Sequence, residues 1–338
     1  MMRVSGIPRI CASRHCRMLV SSFSVLLPVL FVLALGYFAG RTKEFDADQV
    51  KGINELVLDF ALPAIMFVGI VKTAAHPPAG ETAVLIAITL ALVGFYVAVV
   101  LFGLYVLRHS LGEVALQACL LSFPSVAFMG IPIFKGLFGD SGVLSVTTAT
   151  VVANLTIAPL TVLLLEMHAA RTVRAGSGRE PAGFGEEIVA ALKSSFVKPV
   201  VWAPLAAIAI VLTGVRVPEP IDNMLTLIGS TTSGVSLFAA GLIIAAYRVR
   251  VTAEIVGNVI AKMIAQPLFA VVLVLALSIK EPLARETILM CAIPSSAFAV
   301  LLAPRYGIYE TESASTLVLT SFAMVAIMPI AIMLTGAM

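Results

Sequence analysis

Charged residues are scarce in this chain. Asp, Glu, Lys and Arg make up 12% of its 338 residues, hydrophobic residues make up 60%, and the mean hydropathy is +1.05. Soluble domains carry about a quarter charged residues, so this shortage excludes an ordinary soluble protein. The charges that are present leave long apolar runs, and about 20 such residues suffice to cross a bilayer. The sequence therefore predicts a multi-pass protein of the plasma or inner membrane.

The chain also lacks the motifs of enzymes, metal sites and nucleotide sites. Its four cysteines have no CxxC spacing, and its four histidines lie in the tail, in predicted loops or at span ends. Gly139-Asp140-Ser141-Gly142 matches the serine string of intramembrane proteases, but such a serine needs a base within hydrogen-bond reach. No predicted span interior contains a histidine. We therefore predict no enzymatic activity, no cofactor, no metal and no nucleic-acid partner.

Apolar runs predict an all-α polytopic fold of ten transmembrane helices. The predicted spans are residues 21–40, 53–72, 82–107, 114–137, 142–166, 199–216, 221–246, 252–279, 286–304 and 313–336. A polar stretch rich in glycine and charge separates the fifth span from the sixth. The predicted organisation is a tail (1–20), a first five-helix repeat (21–166), a linker (167–198) and a second five-helix repeat (199–338). Met18 offers an alternative start, which would remove most of the tail.

An odd number of spans in each repeat places the second repeat upside down relative to the first, which predicts two inverted repeats. Twelve lysines and arginines fall in the loops after the odd-numbered spans and five in the loops after the even-numbered spans. Basic residues accumulate on the cytoplasmic side. The tail adds four arginines on the other side, so the bias is clear only without it. We predict a cytoplasmic linker with both termini outside.

Prolines interrupt two of these spans at matching positions. Pro124 lies near the middle of span 4 and Pro294 near the middle of span 9, 170 residues later, and the same offset relates Pro159 to Pro329. Proline removes a backbone donor and clashes with the preceding turn, which a bilayer tolerates only where the break lies inside protein or lines a cavity. Paired breaks are typical of substrate sites in secondary transporters. The alternative for each proline is a simple kink in an otherwise continuous membrane helix.

Serines follow both breaks: Ser125 in span 4, and Ser295 and Ser296 in span 9. If the two helices unwind there, their half-helix ends present free amides and a positive dipole to an anion. The serines add hydroxyl groups without adding charge. We therefore expect an anion-binding site at a crossing of the two broken helices, formed by Pro124, Ser125, Pro294, Ser295 and Ser296.

Polar residues inside other spans are costly and often functional. Asp59 in span 2 and Lys262 in span 8 lie at predicted depths of about 9 and 15 Å, taking 1.5 Å per residue. The two could form a charge pair, or Lys262 could be the countercharge of a carboxylate substrate, whereas snorkelling to the interface is the alternative for both. Asn154 in span 5 could contact substrate or hydrogen-bond a neighbouring helix.

Three segments carry a family resemblance: FMGIPIFKGLFGDSGVLSV, INELVLDFALPAIMF and AIPSSAFAVLLAPRYG. They resemble the fourth-to-fifth, second and ninth spans of the auxin efflux carrier family, and the similarity covers nearly all of residues 22–336. The resemblance implies ten spans, a crossover of two broken helices, and elevator-type transport of organic anions. It also implies substrate contacts near Asn154, Leu62 and Met66, and a proton or cation site near Glu81. An exposed acid that caps a helix is the other interpretation of Glu81.

The chain departs from plant members of that family at the crossover. They carry asparagine where this chain has Ser125 and glutamine where it has Ser295, so the resemblance favours malonate, malate or a similar small carboxylate over indole-acetate. A sodium-coupled symporter of the bile-acid type and an anion channel or sensor without alternating access are the alternatives. The sequence leaves open whether transport is coupled to protons or sodium and whether the protein forms a homodimer.

Overall fold

A computed structural model describes residues 14–75, 81–125, 130–176, 184–246 and 249–336. The regular secondary structure of these residues is helical, and the β-pairing among them is one isolated antiparallel bridge between Pro124 and Ser295. The helices are α1 (Arg14–Arg41), α2 (Ala47–Leu56), α3 (Leu62–Ala75), α4 (Glu81–Phe102), α5 (Leu111–Ser122), α6 (Ile131–Phe138), α7 (Asp140–Val152), α8 (Ala158–Gly176), α9 (Phe184–Val197), α10 (Pro199–Thr213), α11 (Glu219–Ala246), α12 (Ala253–Ile260), α13 (Gln266–Ala276), α14 (Leu283–Cys291), α15 (Ala297–Tyr306) and α16 (Glu310–Thr335).

Six helical segments of the described chain are long and apolar enough to cross a membrane. A seventh is obtained if the bent pair Val189–Val197 and Pro199–Thr213 counts as one span. The six are Ala47–Lys72, Val84–Leu107, Ser145–Ala175, Glu219–Ala246, Ala253–Ala276 and Glu310–Thr335, and they match predicted spans 2, 3, 5, 7, 8 and 10. The multi-pass helical fold is thus confirmed, whereas the count of ten spans and the inverted repeats stay predictions.

Predicted spans 4 and 9 are each divided into two short helices. Span 4 consists of α5 and α6, and span 9 consists of α14 and α15, with the proline of each between its two helices. The predicted start of the linker at residue 167 falls inside α8, which continues to Gly176. The exposed Arg171 and the partly buried Arg174 in these last turns explain the difference, because a polar helix end can extend beyond the bilayer as helix.

Three of the four π-helical turns in the described chain precede a proline. They span Val57–Ala61, Ala153–Ile157 and Ala261–Ala265, and Pro63, Pro159 and Pro267 each follow two residues after the turn ends. Proline clashes with the carbonyl four residues before it, and a wider turn relieves that clash. These turns carry Asp59, Asn154 and Lys262, the three intramembrane polar residues singled out above, in keeping with the frequent occurrence of π-turns at functional sites.

The helices form two groups that pack mainly among themselves. The first bundle comprises α1, α2, α3, α10 and α11, and the second comprises α4–α8 and α12–α16. In the first bundle α1 and α11 approach closely, since a Cβ on Gly36 would lie 2.1 Å from the Phe238 carbonyl oxygen and one on Gly241 would lie 2.3 Å from that of Leu33. Gly36 and Gly40 form a GxxxG pattern, which allows such close packing between membrane helices.

The predicted basic loops lie together at one end of the molecule. A Cβ on Gly112 would contact both Ile308 and His168, and the His109 imidazole lies 3.8 Å from the Glu254 carboxylate. At the opposite end Lys72 pairs with Asp222 at 3.0 Å. The loop charges predict that the first of these ends faces the cytoplasm.

A labelling experiment tests this orientation. Cysteines at Thr42, in the loop after α1, and at Val215, in the loop after α10, are both exposed. After Cys11 and Cys16 are replaced with serine, a membrane-impermeant maleimide is expected to label Val215→Cys in intact cells and Thr42→Cys only in inside-out vesicles. The native Cys119 and Cys291 are buried and serve as an unlabelled background. The reverse labelling pattern would contradict the assignment of sides.

Candidate functional site

The two proline breaks meet and pair through their backbones. The Ser125 N–H donates to the Pro294 carbonyl at 2.9 Å, and the Ser296 N–H donates to the Phe123 carbonyl at 3.0 Å. The rings of Phe123 and Phe298 lie 5.4 Å apart beside this pair. The helices end at Ser122 and Cys291 because a proline cannot continue the hydrogen-bond ladder. The backbone groups released by one break thus find partners in the other, as an apolar environment requires.

A cavity of about 240 Å³ adjoins this crossover. It lies between the two bundles, because Leu62, Ile65 and a stretch of α11 line one wall and residues of the second bundle line the other. Its lining consists of Leu62, Ile65, Phe123, Pro124, Ser125, Thr150, Asn154, Gly229, Ser230, Thr232, Ser233, Ser236, Ser296, Ala297, Phe298 and Leu301. No charged residue is among these described residues.

Three polar side chains are available to a ligand in this cavity. Ser125 and Asn154 are buried, at 5% and 8% exposure, and neither side chain has a hydrogen-bond partner in the described chain. The Thr232 hydroxyl is buried without a partner there as well. A buried polar group without a partner costs about 1–3 kcal/mol, so a bound solute that pairs with these groups would recover that free energy.

The N-terminus of α15 supplies the positive end of a helix dipole to the same cavity. Ser296, Ala297 and Phe298 line it, and they are the N-cap and the first two residues of α15. The Ser296 hydroxyl accepts the Phe298 N–H at 3.3 Å, which caps the helix and leaves its own proton free to donate. Helix N-termini attract anions because their N–H groups and dipole both favour negative charge.

Of the other predicted site residues, some line the cavity and others lie beside it. Leu62 lines it, whereas Met66, one turn further along α3, is fully buried and is not part of the lining. Pro294 and Ser295 form the crossover itself, and the buried Ser295 hydroxyl has no partner in the described chain. Glu81 begins α4, but its side chain lies outside the described residues.

Asp59 and Lys262 do not form a charge pair, which was one of the alternatives that the sequence left open. Asp59 instead accepts from the Arg305 guanidinium at 2.7 Å, and Lys262 donates to the side-chain amide oxygen of Gln266, also at 2.7 Å. The prediction rested on depth alone, which does not determine which face of each helix carries the residue. Lys262 is fully buried, does not line the cavity, and is near enough to Cys291 of α14 for an electrostatic interaction.

A double-mutant cycle distinguishes the two pairings. Asp59→Asn and Arg305→Gln are expected to be non-additive in the free energy of unfolding, with a coupling of about 0.5–3 kcal/mol, because the side chains are in contact. Asp59→Asn and Lys262→Met serve as the matched control and are expected to be additive. Additivity of the first pair, or coupling of the second, in melts of the purified protein would contradict the observed pairing.

Sequence reasoning missed the wall of the cavity that α11 contributes. Within α11, residues 229–236 read GSTTSGVS, and four of their hydroxyl groups line the cavity. This run of hydroxyls in an apolar span was the available signal. It also missed the buried Glu286 of α14, whose carboxylate accepts a hydrogen bond from Ser145.

A second polar network holds the helices of the second bundle together at the basic end. The Gln117 amide donates to Asn258 at 2.8 Å, the Asn258 amide donates to Tyr309 at 2.9 Å, and the Tyr309 hydroxyl donates to Glu254 at 2.7 Å. Tyr309 lies in the loop before α16, and burial raises the pKa of its phenol above the usual range, so it remains a donor. None of these residues lines the cavity.

Comparison with known proteins decides the family. The model of the family described as "Membrane transport protein" matches residues 21–334. The chain belongs to this family. These membrane transporters include the auxin efflux carriers, so the resemblance noted in the sequence is confirmed. Because the family consists of transporters, the prediction that the chain is not an enzyme is also confirmed.

Three relatives from this family align along most of their length. The chain is 30% identical over 308 residues to the "Uncharacterized transporter YfdV" of Escherichia coli strain K12, covering 90% of the chain and 95% of the relative. It is 24% identical over 307 residues to the "Putative malonate transporter" of Rhizobium meliloti, covering 89% and 92%. It is 22% identical over 332 residues to the "Auxin efflux carrier component 8" of Arabidopsis thaliana, covering 85% and 89%.

Proposed function

We propose that this membrane transporter moves a small organic anion, a carboxylate of the malonate or malate class, through the crossover cavity. The observation that carries the proposal is the chemistry of the cavity lining. Three polar side chains without partners and a helix N-terminus face the cavity, and none of the described residues that line it is charged. A site without carboxylates does not repel an anion, and a site without lysine or arginine does not retain it. Transport requires such binding of limited strength, because the substrate must leave.

The size of the cavity favours a small solute. Pockets for drug-sized ligands measure about 300–1,000 Å³, whereas this one measures about 240 Å³. A relative that aligns over 89% of the chain is named for malonate, and Ser125 and Ser295 lack the amide groups that the resemblance implies for plant carriers. We therefore infer a small dicarboxylate rather than an aromatic acid. Lys262 would add positive potential from outside the lining rather than by contact.

The position of the cavity between the two bundles supports elevator-type alternating access. Leu62 and α11 belong to the first bundle, whereas Ser125, Asn154 and α15 belong to the second. A displacement of the second bundle along the first would carry the crossover, and a solute held by it, across the membrane. Two ion pairs join the bundles at the predicted cytoplasmic end, Asp59–Arg305 and Glu166–Lys198 at 3.4 Å. They would break during this movement, with the termini remaining outside.

A ligand screen on the purified protein tests the substrate class. Melting curves are recorded with malonate, malate, acetate and indole-3-acetate, with malonamide as the uncharged analogue of malonate, at two pH values and with or without sodium. A specific ligand at 100 times its Kd stabilises by about 2.7 kcal/mol, so one of the dicarboxylates is expected to raise Tm and malonamide is expected not to. Equal stabilisation by malonamide, or none by any carboxylate, would contradict the proposal. A shift that requires sodium would favour the bile-acid type of coupling.

A further inference from the structure

Helix α9 meets α10 at a sharp angle. The bent pair Val189–Val197 and Pro199–Thr213 encloses 83°, and the bend lies at Lys198, whose backbone is extended before the proline. Because α10 is an apolar helix of 15 residues that inserts into the bundle, a helix at a right angle to it runs along the membrane surface.

An exposed strip of α9 is apolar. Val189, Leu192 and Phe196 recur at intervals of three and four residues, and they are 52%, 38% and 54% exposed. The polar Glu186 and Lys193 are also exposed on this helix. Both charges flank the apolar strip, within about 60° of Val189 at 3.6 residues per turn. The helix can therefore lie in the interface with the strip in the outer part of the acyl region and the two charged groups toward water.

An apolar groove of about 340 Å³ runs beneath α9 between α8 and α10. It extends from Leu192 and Phe196 on α9 to Leu205 on α10, and along α8 and the turn before it from Leu163 to Leu155. The eight residues between Leu155 and Leu163 cover about 12 Å at 1.5 Å per residue. One leaflet of the hydrocarbon region is about 15 Å thick, half of roughly 30 Å, so the groove accommodates most of the length of an acyl chain within one leaflet.

A polar group at the α9 end of the groove marks the position of a lipid headgroup. Ser195 lines the groove, is 2% exposed, and its hydroxyl has no hydrogen-bond partner in the described chain. It lies three residues before the bend at Lys198, at the level where α10 begins.

We propose that this groove binds one phospholipid of the bilayer. One acyl chain occupies the space between Leu155 and Leu205, and an ester carbonyl of the lipid accepts the Ser195 proton. The bilayer supplies this ligand at high local concentration, and the apolar lining, the length of the groove and the unpartnered hydroxyl each match a part of it. The proposal does not depend on which anion the transporter carries.

Photo-crosslinking tests the site in the full-length protein reconstituted in nanodiscs. The probe is a phosphatidylglycerol with a diazirine in one acyl chain, and cross-linked peptides are mapped by mass spectrometry. We expect cross-links to concentrate on α8 and α10 residues of the groove. Leu205→Trp, which fills the groove, is expected to remove them, whereas Leu212→Trp, at an 81% exposed position of the same helix outside the groove, is expected to leave them unchanged.

A second variant keeps the test decisive if Leu205→Trp does not fold. Ser195→Ala removes one hydrogen bond and is expected to lower the amount of phospholipid retained in native mass spectrometry by about threefold to tenfold. Cross-links spread evenly over all lipid-facing helices, or unchanged retention in Ser195→Ala, would overturn the site. Equal labelling of the groove by a diazirine fatty acid without a glycerophosphate headgroup would overturn its assignment to a phospholipid.

Discussion

Replacing Pro124 and Pro294 together with alanine is expected to abolish transport while the protein remains folded. Each alanine restores a backbone donor and removes a clash worth about 3 kcal/mol, so α5 and α14 can each extend by a turn. Extension would take the Phe123 and Pro294 carbonyls into helical hydrogen bonds and break the two backbone bonds that now join the breaks. Uptake into proteoliposomes and Tm are measured together, and Tm is expected to stay the same or rise.

Pro329→Ala is the matched control for the crossover variant. Pro329 lies buried within the continuous helix α16, where no break is formed, so its replacement is expected to leave uptake near that of the wild type. Normal uptake by a stable Pro124→Ala, Pro294→Ala variant would show that the unwound crossover is not needed for transport.

Replacing Asn154 with leucine is expected to weaken substrate binding by about tenfold to a hundredfold. This corresponds to a lost hydrogen bond to a charged group, worth about 1.5–3 kcal/mol, at 1.4 kcal/mol per factor of ten. Asn154 lines the cavity and has no other partner in the described chain, so its amide is free for the ligand. Asn154→Asp is expected to weaken binding at least as much, because a carboxylate there repels an anion.

Thr150→Val provides the comparison within the same cavity. Thr150 also lines it, but its hydroxyl donates to the Val146 carbonyl at 2.8 Å, so little binding free energy should be lost. The half-saturation concentration for uptake is measured for all three variants. An unchanged value for a folded Asn154→Leu protein would remove Asn154 from the site.

The positions of the helices and of their breaks could be predicted because both depend on local sequence. Apolar runs mark helices that cross a bilayer, and Pro124 and Pro294 prevent the hydrogen bonds that would continue α5 and α14. The meeting of the two breaks was expected from the need to satisfy freed backbone groups away from water. Asn154 was singled out because an amide is costly in an apolar span.

The contribution of α11 to the cavity could not be predicted, because serine and threonine hydroxyls can hydrogen-bond to carbonyls of their own helix. Ser230, Ser233 and Ser236 each donate to a carbonyl three residues earlier. A run of hydroxyls therefore does not by itself indicate a site, and only the unpartnered Thr232 hydroxyl distinguishes this one. The partner of Asp59 could not be predicted, because rotation about a helix axis cannot be inferred from depth.

Substrate protection of a cysteine at Ser125 tests most directly whether the anion binds at the crossover. Ser125→Cys keeps the backbone N–H that pairs with Pro294 and places a thiol in the cavity lining. Its rate of alkylation is measured in proteoliposomes over a range of concentrations of the carboxylate identified in the melting screen, with Thr42→Cys as the control outside the cavity. We predict that the carboxylate slows alkylation at Ser125→Cys, with half-protection at the concentration that half-saturates uptake, and leaves Thr42→Cys unaffected. Unchanged alkylation at Ser125→Cys under conditions that saturate uptake would contradict a binding site at the crossover.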